Sequence, residues 1–162
     1  MTETATLDST ERGKTEIKLP ADLEDLEVSM FQDAFSVLEP RPVKIVSLLS
    51  AIQEGRFKDR IKRLRGLKNN REAYDSAKKE LPAVTLSGTF SKRNESCLTR
   101  YSGLIQLDFD HVPDPEKLRD NLIKDPHVCA SFLSPGGDGV KAILKVHPDP
   151  QKHKSFFDEA EK

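Results

Sequence analysis

Apolar residues recur along the chain with two different periods, and the change from one to the other divides it. In "PVKIVSLLSAIQEGRF", Ile45, Leu48, Leu49 and Ile52 fall at helical spacing, with Pro42 near the start and Gly55 past the end, which predicts a first helix. A second helix is predicted over Phe57 to Leu67, where Phe57, Ile61 and Leu64 form an apolar stripe, and a third near "REAYDSAKKE". Ahead of them "VSMFQDAF" predicts one short strand. Leu81-Pro82 ends the helical period and "AVTLSG" predicts a strand. The segment "TFSKRNESCLTRYSG" follows as an exposed loop or hairpin end. Strands are then expected over Leu104 to Asp110, Val128 to Ser134 and Val140 to Val146. A helix opened by Pro113-Asp114-Pro115 and running to Lys124 separates the first two. A last helix starts near Gln151, with Phe156 and Phe157 as its apolar residues. The order β-α-β-β is that of a split, ferredoxin-like unit, so the expected class is α+β with an N-terminal helical segment.

Composition limits what this pattern can build. At 162 residues, 36% hydrophobic and 33% charged, the chain has material for one modest core. Residues 1–26 lack apolar periodicity and are expected to form a flexible acidic tail, leaving 27–162 as the domain. The net charge of -1 conceals a strong asymmetry. The first 27 residues hold eight acids and three bases, whereas Arg56 to Arg71 holds eight bases and one acid. That second run is either a solvated helix face or a track for a phosphate backbone, with Arg60 and Arg63, joined by Lys92, Arg93 and Arg100 of the later loop, as the contacts. Cys97 and Cys129 stand far apart, without a Cys or His at ligand spacing. The N-terminus has no apolar h-region, and there is no apolar run of about 18 residues. The expectation is a soluble protein of a reducing, cytoplasmic compartment with no membrane partner.

Candidate chemistry gathers in two places. In "LIQLDFDH", strand parity sends Ile105, Leu107 and Phe109 to one face and Gln106, Asp108 and Asp110 to the other. Two carboxylates then lie about 7 Å apart along the strand and repel unless a cation joins them. Mg²⁺ is held by one or two carboxylates and completes its shell with water and substrate phosphates, so a metal-nucleotide site is one reading; a plain strand end is the other. In "SFLSPGGDGVKAILKV", Ser134, Gly136, Gly137, Gly139 and Lys141 occupy the junction of two strands. Backbone amides turned by glycines, with a lysine beside them, outline a phosphate cradle; an ordinary hairpin turn needs the same glycines. Lys141 shares the parity of the open face with the aspartates.

Taken in order, "LPAVTLSGTFSKR", "YSGLIQLDFDH" and "DPHVCASFLSPGGDGVKAILKV" resemble the VirE N-terminal-type domain of the archaeo-eukaryotic primase superfamily. The resemblance covers about Val28 to Lys162. It implies an RRM-like primase core and a metal-dependent nucleotidyltransferase that extends nucleic acid in bacterial or mobile-element replication. Asp108 and Asp110 would ligate catalytic Mg²⁺ or Mn²⁺. Ser134, Gly137, Gly139 and Lys141 would hold the triphosphate of an incoming nucleoside triphosphate, with lysine where many superfamily members have histidine. Single-stranded or primed DNA would be the second substrate, and a helicase-type module would lie elsewhere in the parent protein. The superfamily takes a third carboxylate from a strand beyond the next helix, and the sequence stops at Lys162 within that helix. The domain is therefore expected to be truncated at its C-terminus, since Asp158 on the helix is a poor substitute.

The main alternative is a catalytically inactive module of the same fold that binds nucleic acid or recruits a helicase. An RNA-binding sheet would need exposed aromatics, whereas Phe109 has the parity of the buried face. A Toprim-like domain would need a glutamate at the end of the preceding strand, which is Ser87-Gly88, and nothing resembles a nucleophile elbow.

Overall fold

The computed structural model describes residues 23–161. The expected tail therefore lies outside the described residues up to position 22. Leu23 is buried in the core and Leu26 packs against the same cluster, so the packed chain begins before the expected boundary at 27.

The elements run β1 (Glu27–Phe31), β2 (Arg41–Lys44), α1 (Ile45–Gln53), α2 (Lys58–Gly66), α3 (Arg71–Lys79), β3 (Ala83–Thr85), β4 (Gly88–Phe90), β5 (Leu98–Tyr101), β6 (Leu104–Phe109), α4 (Pro115–Leu122), β7 (Val128–Leu133), β8 (Val140–Lys145) and α5 (His153–Ala160). Three antiparallel sheets result, ordered β2-β1-β3, β4-β5 and β6-β8-β7. The protein is thus α+β. Because β6 and β7 both pair antiparallel with β8, they run parallel to each other, and α4 makes the crossover between them. No helix among the described residues is long and apolar enough to cross a membrane.

Local sequence explains most boundaries. The Asp114 side chain accepts the Lys117 amide at 3.0 Å, and Pro115 follows at the first helical position, which starts α4. Asn70 caps α3 in the same way through the Ala73 amide. Two expectations need correction. Pro42 does not open a helix: it lies on β2, an edge strand where a missing N–H costs little, and pairs with Ser29. The stretch "AVTLSG" is not one strand, because the chain turns at Leu86-Ser87, so β3 pairs with β1 while β4 pairs with β5. The N-terminal segment is consequently a sheet with helices rather than helical alone.

Both faces of the β6-β8-β7 sheet are covered. On one, Val128, Ala142, Phe109 and Leu144 pack with Leu122 and Ile123 at the end of α4. On the other, Leu104, Ala130 and Ile143 meet Val28, Ile45, Leu49 and Leu86 of the N-terminal unit. The parity of Gln106 and Asp108 was expected to mark an open face. The structure restricts that opening to one end, since Leu104 and Ile143 on the same face are fully buried. Ser29 and Ser102 stitch the sheets together. Ser29 Oγ accepts the Phe90 amide at 2.9 Å, and Ser102 Oγ donates to the Leu86 carbonyl at 2.6 Å while accepting the Leu104 amide.

Candidate functional site

The end of the sheet that stays open carries the residues singled out by sequence. Asp108 on β6 is directly opposite Lys141 on β8, which is opposite Phe132 on β7, so the three share one row and one face. Lys141 Nζ donates to Asp108 Oδ1 at 2.7 Å, and Gln106 Nε2, from the preceding position on that face, donates to the same oxygen at 2.7 Å. Asp110 lies one residue beyond β6, exposed, and makes no ion pair or side-chain hydrogen bond among the described residues. The charge beside Asp108 is therefore an ammonium. A divalent ion was the expected partner, and the donor set still suits one: a carboxylate with Oδ2 free, a second carboxylate two positions on, and room for water and phosphate. Among the described residues, no group of three or more His, Cys, Asp or Glu is placed to hold a metal without such outside ligands.

The turn between β7 and β8 closes on the end of β6. The Ser134 amide donates to the Gly139 carbonyl at 2.8 Å and the Gly137 amide to the Ser134 carbonyl at 2.9 Å. Gly137 has φ +81°, a conformation that disfavours a side chain. Gly139 is needed for a different reason. A Cβ there would stand 2.5 Å from the Phe109 carbonyl oxygen, 3.3 Å from Ser134 Oγ and 3.4 Å from Asp110 Cα. That close approach brings Ser134, Gly139 and Asp110 together. The amides of Gly136, Asp138 and Gly139 donate to nothing among the described residues, as an anion-binding turn requires. Asp138 works against an anion here, and His111 Nδ1 lies 3.4 Å from its carboxylate.

Two helices of the N-terminal unit reach the same turn. Arg65 of α2 donates through Nε to the Pro135 carbonyl at 3.1 Å and through Nη2 to that of Ser134 at 3.4 Å, its guanidinium lying over Gly137. Tyr74 of α3 approaches Gly136. Burial, with the nearby carboxylates of Asp138 and Asp75, holds its phenol above the usual range. Between these helices and the sheet lies a cleft of about 1230 Å³. Its wall carries Lys58, Lys62, Arg65, Lys78, Arg93 and Lys141 against one acid, Glu54. An anion entering it meets cations from α2, α3, the β4–β5 hairpin and β8.

The expected nucleic-acid contacts divide unevenly around this cleft. Arg93 lines it, anchored by a 2.8 Å bond to the Ala34 carbonyl and by the Phe31 ring 5.7 Å away. Arg60, Arg63, Lys92 and Arg100 are exposed but do not line it, and Arg63 faces Glu80 at 3.9 Å. The α2 residues that do are Lys58, Lys62 and Arg65, on the opposite flank of its apolar stripe. Their spacing marks them as one flank, but nothing local says which flank meets the sheet. Phe132 was not singled out by sequence, and Gln106 was placed on this face by parity but without its bond to Asp108. Register with Lys141 reveals Phe132, and it becomes visible only once the strands are aligned. Asp158 is paired with Lys154 at 2.8 Å on α5, and this pair lies outside the row and the turn.

An α+β protein with a cation-walled cleft, one of whose cations, Lys141, is paired with Asp108, is the class that fold and site define. Residues 76–162 match the family described as BT4734-like, N-terminal domain, and the chain belongs to that family. The match takes in the end of α3 and β3 to α5, with Asp108, Asp110, the glycine turn and Lys141 inside it, while β1, β2, α1, α2 and the start of α3 precede it. No curated protein and no solved structure matches the chain.

Proposed function

We propose that this domain binds a nucleoside triphosphate with a divalent cation at the open end of the β6-β8-β7 sheet, and that it serves nucleotidyl transfer onto single-stranded or primed DNA. The observation that carries the reading is the pairing of Asp108 with Lys141, which lines a cleft with six cations on its wall, and the approach of the Asp110 backbone to the Ser134–Gly139 turn. The finer fold reading, a ferredoxin-like or RRM-like primase core, is supported by the β6-α4-β7-β8 order with β8 between the other two strands.

Asp108 and Asp110 would hold Mg²⁺ or Mn²⁺, which supplies charge stabilisation at phosphoryl oxygens. Lys141 and the unused amides of the turn neutralise the β- and γ-phosphates, orienting the α-phosphate for in-line attack by a 3′-hydroxyl and easing departure of pyrophosphate. Arg65 keeps the turn in shape, and Lys58, Lys62, Lys78 and Arg93 track a nucleic-acid backbone along the cleft. The setting is replication of bacterial or mobile-element DNA in the cytoplasm, with a helicase-type module in the parent protein. Both are carried over from the resemblance to primase-polymerases alone.

Titrating dATP with Mn²⁺, with chelator, and into Asp108→Ala/Asp110→Ala tests the reading. Binding should require Mn²⁺ and weaken at least about tenfold in the double variant, the loss of roughly 1.4 kcal/mol. Binding indifferent to both would leave the second reading, a non-catalytic nucleic-acid-binding or helicase-recruiting module. Phe132 favours that module, because it places an aromatic ring in the cleft where a base would stack.

A further inference from the structure

Asp108 and Lys141 are each given a ligand by the proposed function, yet each now has the other. Their Nζ–Oδ1 distance of 2.7 Å is set by direct opposition on β6 and β8, so the contact follows from register. Lys141 occupies Asp108 Oδ1, so a divalent cation arriving at Oδ2 of the same carboxylate would stand beside the ammonium and repel it, and that ammonium has given one of its three donors to the carboxylate.

We propose that Asp108 and Lys141 are an exchange pair: a divalent cation on Asp108 releases Lys141 to a polyphosphate anion, so cation and anion bind with positive coupling. This rests on the nucleotide reading and deepens it by supplying the order in which the site fills. Three features support it. Gln106 Nε2 remains on Asp108 Oδ1 after Lys141 leaves, so the carboxylate stays oriented and hydrogen-bonded. The side chains are 25% and 47% exposed, and an ion pair in contact with water is easily parted. Lys141 lines the cleft with Ser134 and Pro135, so its flexible stem needs only a change of rotamer to face the turn. Arg65 is not free to do the same, being committed to two carbonyls of that turn. Linkage makes the effect reciprocal, so bound polyphosphate must equally tighten the cation.

A double-mutant cycle separates this exchange from simple repulsion between Asp108 and an anion. Inorganic tripolyphosphate is titrated calorimetrically, in chelator, into the wild type, Asp108→Asn, Lys141→Met and the double variant. Asp108→Asn should tighten binding about tenfold in the wild-type background and less than about twofold in the Lys141→Met background. Equal gains in both backgrounds, or no gain in the first, would overturn the proposal. A second measurement needs no variant: the side-chain NMR signal of Lys141 should shift when Mg²⁺ is added without any anion, and an unmoved signal contradicts the exchange. The outcomes also distinguish the two levels of claim. Mn²⁺-dependent dATP binding with an additive cycle retains the nucleotide site and removes the exchange. A coupled tripolyphosphate cycle without Mn²⁺-dependent dATP binding retains the exchange and removes the nucleotide.

Discussion

Gly139 shows how one missing side chain assembles the site. Its Cα side faces the Phe109 carbonyl so closely that a methyl group would have to displace backbone, and backbone at the end of β6 carries Asp110. Gly139→Ala should therefore destabilise the fold by about 1–3 kcal/mol in urea unfolding. Gly66 at the end of α2 has open space around it, so Gly66→Ala should leave stability unchanged or raise it by at most about 1 kcal/mol. Equal behaviour of the two variants would mean that the close approach is not what holds the turn. The glycines of this turn were recognisable from sequence, but Gly139's reason was not. Its neighbour is a carbonyl 30 positions earlier, and only the β6–β8 register brings the two together. Ser131 gives the opposite case: its hydroxyl is buried on β7 without a hydrogen-bond partner among the described residues, and no pattern of alternation marks such a group.

At the level of elements, the three helices of the N-terminal half and the β-α-β-β order were legible, because each is written in local periodicity, breakers and caps. Of the sheet β2-β1-β3, strands near β1 and β3 were anticipated, but β2 and the pairing were not. β2 is four residues long, too short for alternation to register, and its Pro42 reads as a helix start as readily as an edge strand. The orientation of α2 was illegible for a related reason. Cations flank its apolar stripe on both sides, and only its packing against α3, across the cleft from the sheet, turns Lys58, Lys62 and Arg65 inward. This inward flank should carry the electrostatics of nucleic-acid binding. In fluorescence anisotropy with single-stranded DNA at low salt, Lys58→Glu/Lys62→Glu should weaken binding by at least about tenfold, with a shallower salt dependence. Arg60→Glu/Arg63→Glu, with the same change in net charge, should cost less than about threefold. Matching losses would show that total charge governs binding and that the cleft does not.

At the scale of the whole molecule, the site belongs to neither half alone. The family match begins in α3, so it contains the aspartates, the turn and Lys141 but omits α2 with the Arg65 that clasps the turn and half of the cleft's cations. On the proposed reading, the open sheet end is where nucleotide, divalent cation and nucleic acid would meet. Crystals grown with Mn²⁺ and a non-hydrolysable dATP analogue address that convergence directly. The expected result is an anomalous peak bonded to the carboxylates of Asp108 and Asp110, with the triphosphate along the Ser134–Gly139 turn. A bound nucleotide whose Mn²⁺ peak lies away from both carboxylates would contradict it.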